Sequence, residues 1–282
     1  MHVPLQSVVR FNLRERFSHA KTFGAPTELL PQTLGRTVLY IKDQGTSNYC
    51  TAAARSAAGS YLWGREMSFE YQTAKEGEVL GAPIYFGTDP NTADKACELY
   101  GFLPNEDSPE HFFQDGWTKP ADWRFYPPVL DGTATQYIVG TPFNVYPDFD
   151  SIKEALFQGK DDNAVVVANG YWFDNWEDLA DYFVPMPGNM VTRHSYLFID
   201  WTTLNGKEYL IAQLSQGTAY GNGGILLMSK ETVNAAFKNP ALNGFGCTIF
   251  RKGLITPIQT EINLFTRLVI KLGEWRDYLR GL

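Results

Sequence analysis

Cysteine and histidine are scarce in this chain. Among 282 residues there are three Cys (Cys50, Cys97, Cys247) and four His (His2, His19, His111, His194). Three scattered Cys cannot build a disulfide framework, and the odd count leaves a free thiol. Folding in a compartment that does not depend on disulfides fits best. No His-x-His, His-Glu-x-x-His or Cys-x-x-Cys spacing occurs, so no metal site is expected. No apolar run approaches the roughly 18 residues of a membrane span. The opening Met1-His2-Val3-Pro4-Leu5-Gln6-Ser7 has no apolar signal core, so no signal peptide is expected. No Gly-rich phosphate loop and no Gly-x-Gly-x-x-Gly entering a helix is present, which argues against nucleotide cofactors. Positive charge is the minority sign: 24 Lys and Arg against 31 Asp and Glu, net −7, with no basic patch. Nucleic acid is therefore not an expected partner.

Hydrophobic residues make up 44% of the chain and aromatics 15%. That composition is globular, and the length suits one large domain or two lobes with a sizeable core. Residues 1–29 read as an N-terminal arm. Val38 to Ile41 reads as a short strand, Thr51 to Trp63 as a buried Ala-rich helix ended by Gly64, and Ser68 to Gly77 as a helix capped by Ser68. Thr92 to Tyr100 and Ser151 to Gln158 read as helices ended by Gly101 and Gly159. Strand patterns then dominate: Ala164 to Ala168, Ser195 to Trp201, Lys207 to Ala212 and Gly224 to Met228. Asn205-Gly206 between two of them is a strong hairpin signal. Helices first and strands afterwards predict an α+β architecture with two lobes and a cleft between them.

The chemistry concentrates in Gln44-Gly45-Thr46-Ser47-Asn48-Tyr49-Cys50, where Cys50 opens the Ala-rich helix. A Cys at a helix start feels the positive end of the helix dipole, which favours thiolate. The Gln44 amide can donate to an oxyanion formed at an attacked carbonyl. A lone Cys in a helical pattern is otherwise a small buried hydrophobe, so the rest of the chain decides. A thiol nucleophile needs a base, usually imidazole. His194 heads the predicted strand at Ser195 and follows Cys50 by 144 residues.

The segment resembles the active-site segment of papain-like cysteine peptidases, whose His follows the Cys at a similar interval of roughly 130–150 residues. Gly87-Thr88 resembles the family's cleft-lining glycine pair. Ser215-x-Gly217-Thr218-x-Tyr220-Gly221-x-Gly223-Gly224 resembles its Asn-Ser-Trp-Gly-Thr-x-Trp-Gly-x-x-Gly segment. Ser68-x-x-Tyr71, Gly87-Thr88 and Ala93 to Gly101 with Pro104 are closer to bacterial and viral members than to secreted ones.

The resemblance implies a papain-like domain over residues 30–258. Its helical lobe spans about 30–135 and its β-barrel-like lobe about 136–258, with the active-site cleft between them. It implies catalytic Cys50, His194 and Gln44, substrate binding by Gly87 and Thr88, and hydrolysis of peptide bonds through a thioester, with no cofactor. The expected setting is cytoplasmic or virion-associated.

Some positions depart from the pattern. The family's His-orienting Asn falls on Leu214, which cannot accept a hydrogen bond, leaving Gln213 and Ser215 as candidates. The family's shielding Trp falls on Gln216, and Thr51 follows the Cys where the family usually has Trp. Ser47 and Tyr85 occupy the positions of the family's first disulfide, in agreement with the non-secretory reading. A degenerate module with a structural or binding role, for example in a viral particle, is the alternative. Acyl transfer by Cys50 and His194 to an acceptor other than water stays open beside it.

Residues 259–282 read as an amphipathic helix. Ile262, Phe265, Val269, Leu272, Trp275, Leu279 and Leu282 form a stripe that packs on the chain's own β lobe or serves as an oligomer or assembly contact. If the stripe is a contact, deleting the residues after Pro257 changes the sedimentation mass or abolishes partner binding. An unchanged monomer with intact binding would remove that role.

Overall fold

The computed structural model describes residues 33–38, 40–45, 47–85, 87–109, 122–140, 142–177, 179, 182–237 and 246–253. Six α-helices and six strands are found among them. The helices are α1 (Cys50–Trp63), α2 (Phe69–Leu80), α3 (Pro90–Tyr100), α4 (Pro128–Ala134), α5 (Phe149–Gln158) and α6 (Lys230–Phe237). The strands are β1 (Phe143–Val145), β2 (Val165–Phe173), β3 (Met190–Leu204), β4 (Lys207–Gln213), β5 (Ile225–Ser229) and β6 (Cys247–Phe250). The architecture is α+β, with helices leading and the sheet following.

Local chemistry explains the helix limits. The Ser68 hydroxyl accepts the Tyr71 N–H at 3.1 Å and caps α2, as expected from the sequence. Asp89 caps α3 through Asn91 N–H and Thr92 N–H, so that helix begins two residues earlier than expected. Gly64 and Gly81 close α1 and α2 in the left-handed region, at φ +65° and +72°.

The six strands form one antiparallel sheet in the order β1-β6-β2-β3-β4-β5. The sheet is open, whereas the sequence reading expected a barrel-like lobe. Asn205 and Gly206 both have positive φ (51° and 76°), so the β3–β4 hairpin turns at the expected dipeptide. Strand β6 had no forecast, because four residues are too few to show alternation. Of the expected strand from Val38 to Ile41, the described residues Val38, Tyr40 and Ile41 lie in no strand. Tyr40 sits at φ +51°, outside strand geometry, and only Asp43 makes a bridge, to Gln216. The stretch just before it is held by a side chain: the Asp200 carboxylate accepts from Thr33 Oγ1, Leu34 N–H and Arg36 N–H at 2.8–3.0 Å. The amphipathic stripe from Ile262 to Leu282 and His111 lie outside the described residues.

Both faces of the sheet are buried. On one face Val166, Ala168, Tyr196 and Phe198 pack with Phe149, Ile152, Val233 and Phe237 of α5 and α6. On the other, Val165, Val167, Leu197 and Ile199 pack on Ala54, Ala57, Ala58 and Tyr61 of α1. Small residues let α1 lie close, and its first residue, Cys50, comes to rest beside β3. The same closeness makes Gly59 irreplaceable by size. A Cβ there would lie 2.7–2.8 Å from the Phe102 ring.

Helix propensity favours Gly59→Ala by about 1 kcal/mol, whereas overpacking costs about 1–3 kcal/mol. Gly59→Ala is therefore expected to lower stability in urea denaturation. A stability gain would show that Phe102 yields freely.

Candidate active site

Cys50 is the first residue of α1 and half-buried. Tyr49 precedes it at the cap position without any side-chain cap, so the helix end is open towards the thiol. Tyr49 is instead anchored by its own hydroxyl, which donates to the Ile84 carbonyl at 2.8 Å. The helix start does not make Cys50 a ready thiolate. Burial pushes the thiol up, opposed chiefly by the Ser195 backbone N–H that faces it.

His194 lies within β3, which starts four residues earlier than the sequence reading placed it. Alternation along a strand sends neighbouring side chains to opposite faces. Ser195 shares the α1-facing side with Leu197 and Ile199, while the His194 ring lies with Tyr196 on the other. Accordingly, the thiol is met by Ser195, and among the described residues no hydrogen bond joins Cys50 to His194. The Ser195 hydroxyl donates to Asn169 Oδ1 at 2.8 Å, the residue directly across the ladder.

The His194 imidazole is only 6% exposed. Its cross-strand partner is Gly170, whose open side is filled by the Phe237 ring, and the imidazole packs on Trp172, centroids 4.9 Å apart. A Trp thus flanks the imidazole from β2, although the glycine-rich segment carries none. Burial pushes the His194 pKa down to about 4. With the thiol raised and the imidazole lowered, the pair rests as neutral thiol and neutral imidazole.

Among the described residues, Gln216 is the hydrogen-bond partner of the imidazole. Its Nε2 lies 3.2 Å from His194 Nε2. Its Oε1 accepts the Ser215 N–H at 3.1 Å, which fixes the amide so that nitrogen faces the ring. Gln216 therefore donates, His194 Nε2 accepts, and the ring proton sits on Nδ1. The two candidate orienters are used elsewhere. Gln213 Nε2 donates to the Tyr40 carbonyl at 3.3 Å, and Ser215 Oγ donates to Gln44 Oε1 at 2.5 Å. Leu214 is 3% exposed and belongs to the core packed between the sheet, α5 and α6. No sequence signal identified Gln216, because the family frame assigned that position to a shielding ring.

Gln44 is firmly placed. Its Nε2 donates to the Ser47 carbonyl at 2.7 Å, and its backbone N–H bonds the Ser215 carbonyl at 2.8 Å. One of the two amide hydrogens remains for another acceptor. Gly87 presses on the same loop: a Cβ there would lie 2.2 Å from the Asn48 carbonyl oxygen. Thr88 follows it, half-buried, with its hydroxyl on Glu76 Oε2. The structure thus brings Gln44, Cys50, Gly87 and Thr88 together at the start of α1, where the family resemblance puts a substrate groove, with Ser195 against the thiol and His194 next to it along β3.

No protein-family model matches the chain, and no curated protein sequence matches it. Solved structures do. Xylellain, a cysteine protease from Xylella fastidiosa, aligns with TM-score 0.63 at 19% identity, over 80% of this chain and 88% of that one. Digestive procathepsin L 3 of Tenebrio molitor aligns with TM-score 0.60 at 16% identity, over 84% and 74% of the two chains. A procathepsin B from Trypanosoma congolense aligns with TM-score 0.54 at 16% identity, over 78% and 77%. The fold is papain-like. Among the described residues, no helix is long and apolar enough to cross a membrane.

Replacing the amide donor by an acceptor tests the proton assignment. In Gln216→Glu a carboxylate would accept Nε2–H, raise the His194 pKa and free Nδ1 to take the thiol proton. Alkylation of Cys50 by iodoacetamide near pH 7 is expected to rise about tenfold, the equivalent of one pKa unit. An unchanged pH profile would mean that the imidazole already carries its proton on Nε2.

Proposed function

We propose that the chain is a papain-like cysteine peptidase that works from a neutral thiol–imidazole pair. The observation that carries this reading is Cys50. It is the first residue of the helix buried against β3, with Gln44 locked beside it and His194 on the facing strand. In this reading the Cys50 thiol loses its proton to His194 as sulfur bonds to the scissile carbonyl carbon. The oxyanion is met by the Cys50 N–H and the remaining Gln44 amide hydrogen. His194 passes its proton to the leaving amine as the C–N bond breaks. Water then attacks the thioester, with His194 as base, and the acid departs as Cys50 regains its proton. For His194 Nδ1 to serve as base, the Gln216 side chain turns over and presents Oε1 to Nε2–H. The turn gives up the Ser215 hydrogen bond, which is worth about 1 kcal/mol.

A second reading has its own support. The donor Gln216 facing His194 and the buried Leu214 favour a module that keeps the fold for binding within an assembly, such as a viral particle. The likeness in sequence to bacterial and viral members supports either reading. An epoxysuccinyl thiol inhibitor separates them at neutral pH. The peptidase reading expects labelling at Cys50 at least about a hundredfold faster than in His194→Ala, within the range general base catalysis supplies. Equal rates in the two proteins, no faster than a free thiol, would leave only the binding module.

A further inference from the structure

Behind the nucleophile helix lies a buried carboxyl that the mechanism above does not use. Glu76, on α2, is fully buried. Its Oε2 accepts from two hydroxyls. One is Thr51 Oγ1, at 3.1 Å, from the residue that follows Cys50. The other is Thr88 Oγ1, from the groove wall. Its Oε1 has no hydrogen-bond partner among the described residues, nor has the Gln72 amide one turn earlier on the same helix. Nothing covalent holds the wall to the helix, since Cys50, Cys97 and Cys247 are all free. One carboxyl oxygen therefore joins α1, α2 and the Gly87–Thr88 segment.

We propose that Glu76 is a positioning residue whose buried carboxyl fastens the Gly87–Thr88 wall to the helix carrying Cys50, and that gaining charge loosens the fastening. The proposal rests on reading the groove beside Cys50 as the substrate cleft, but its test does not depend on catalysis.

The charges around Glu76 set the direction. From α1 it faces Arg55 and the Cys50 thiol, and from α3 Asp94 and the Cys97 thiol. Arg55 offsets the carboxylate only in part, being engaged by Asp94 at 2.6 Å, by the Thr51 carbonyl and by the Pro90 carbonyl. Burial accordingly pushes the Glu76 pKa up to about 7, against the pull of Arg55 and the two threonines. A carboxyl whose folded pKa is raised binds its proton more tightly in the closed state than when the wall opens to water. Closure is then fully favoured below the ordinary carboxylate pKa and weakens as pH rises through about 7. The ionised form also opposes a Cys50 thiolate, because the two negative charges repel.

Hydrogen exchange read by mass spectrometry on the stretch from Ile84 to Asp89 tests this in the full chain. Measurements are made at about pH 5.5 and about pH 8, each rate divided by the intrinsic rate at that pH. Wild-type protection is expected to fall about tenfold or more between the two, within the range that a shift of more than one pKa unit allows. Glu76→Gln keeps an acceptor for both threonines but cannot ionise, so its protection is expected to be equal at both pH values. Thr88→Val removes one hydroxyl at the groove wall and is expected to show low protection at both. Wild-type protection that is the same at both pH values, including none at all, overturns the proposal. So does a Glu76→Gln protein that reproduces the wild-type fall. A peptidase reading that fails on inhibitor labelling leaves this outcome untouched.

Discussion

Everything at the site follows from the two-sided burial of β3. A strand covered on both faces has no solvent side, so its alternation divides residues between two cores rather than between core and water. Odd-numbered residues from Ser195 to Ile199 meet α1, and even-numbered residues from His194 to Phe198 meet the aromatic core on the other side. The thiol and the imidazole therefore answer to different packing, Ser195 against the one and Trp172 and Tyr196 against the other. Burial on each side then acts with opposite sign on the two groups. It raises an acid that becomes an anion and lowers a base that becomes a cation. The neutral pair is a property of this packing more than of any one neighbour.

Much of the fold was legible because its signals are local. Ser68 as a cap, the glycines ending α1, α3 and α5, and Asn205-Gly206 in the hairpin need only a few neighbouring residues to act, whereas α2 runs past the expected end at Gly77 to Leu80. The failures have long-range causes. Val38 to Ile41 looked like a strand, but Tyr40 adopts a left-handed backbone and the residues just before, Thr33, Leu34 and Arg36, are tied to Asp200, far along the chain. Strand β6 exists because β1 and β2 flank it, which no four-residue pattern announces.

The site was legible by half for the same reason. Cys50, Gln44 and Gly87 depend on spacing around one helix start, and spacing is visible in sequence. The partner of His194 depends on which face of a glycine-rich bend each side chain leaves from. Positive φ at Gly217, Gly221, Gly223 and Gly224 redirects that segment, and a linear frame cannot follow the redirection. Gln216 therefore reaches the imidazole from a position at which an aromatic ring had been expected, while Trp172 supplies a ring from another strand.

The bridge between Asp43 and Gln216 has a mechanical meaning. With the Gln44 N–H on the Ser215 carbonyl and the Gly217 N–H on the Lys42 carbonyl, at 2.8 and 3.1 Å, it forms a short ladder between the segment before α1 and the glycine-rich segment after β4. Gln44 beside the thiol and Gln216 beside the imidazole stand on adjacent rails of that ladder. The ladder holds the two amides in one register, so a displacement of either backbone segment reaches the thiol side and the imidazole side together.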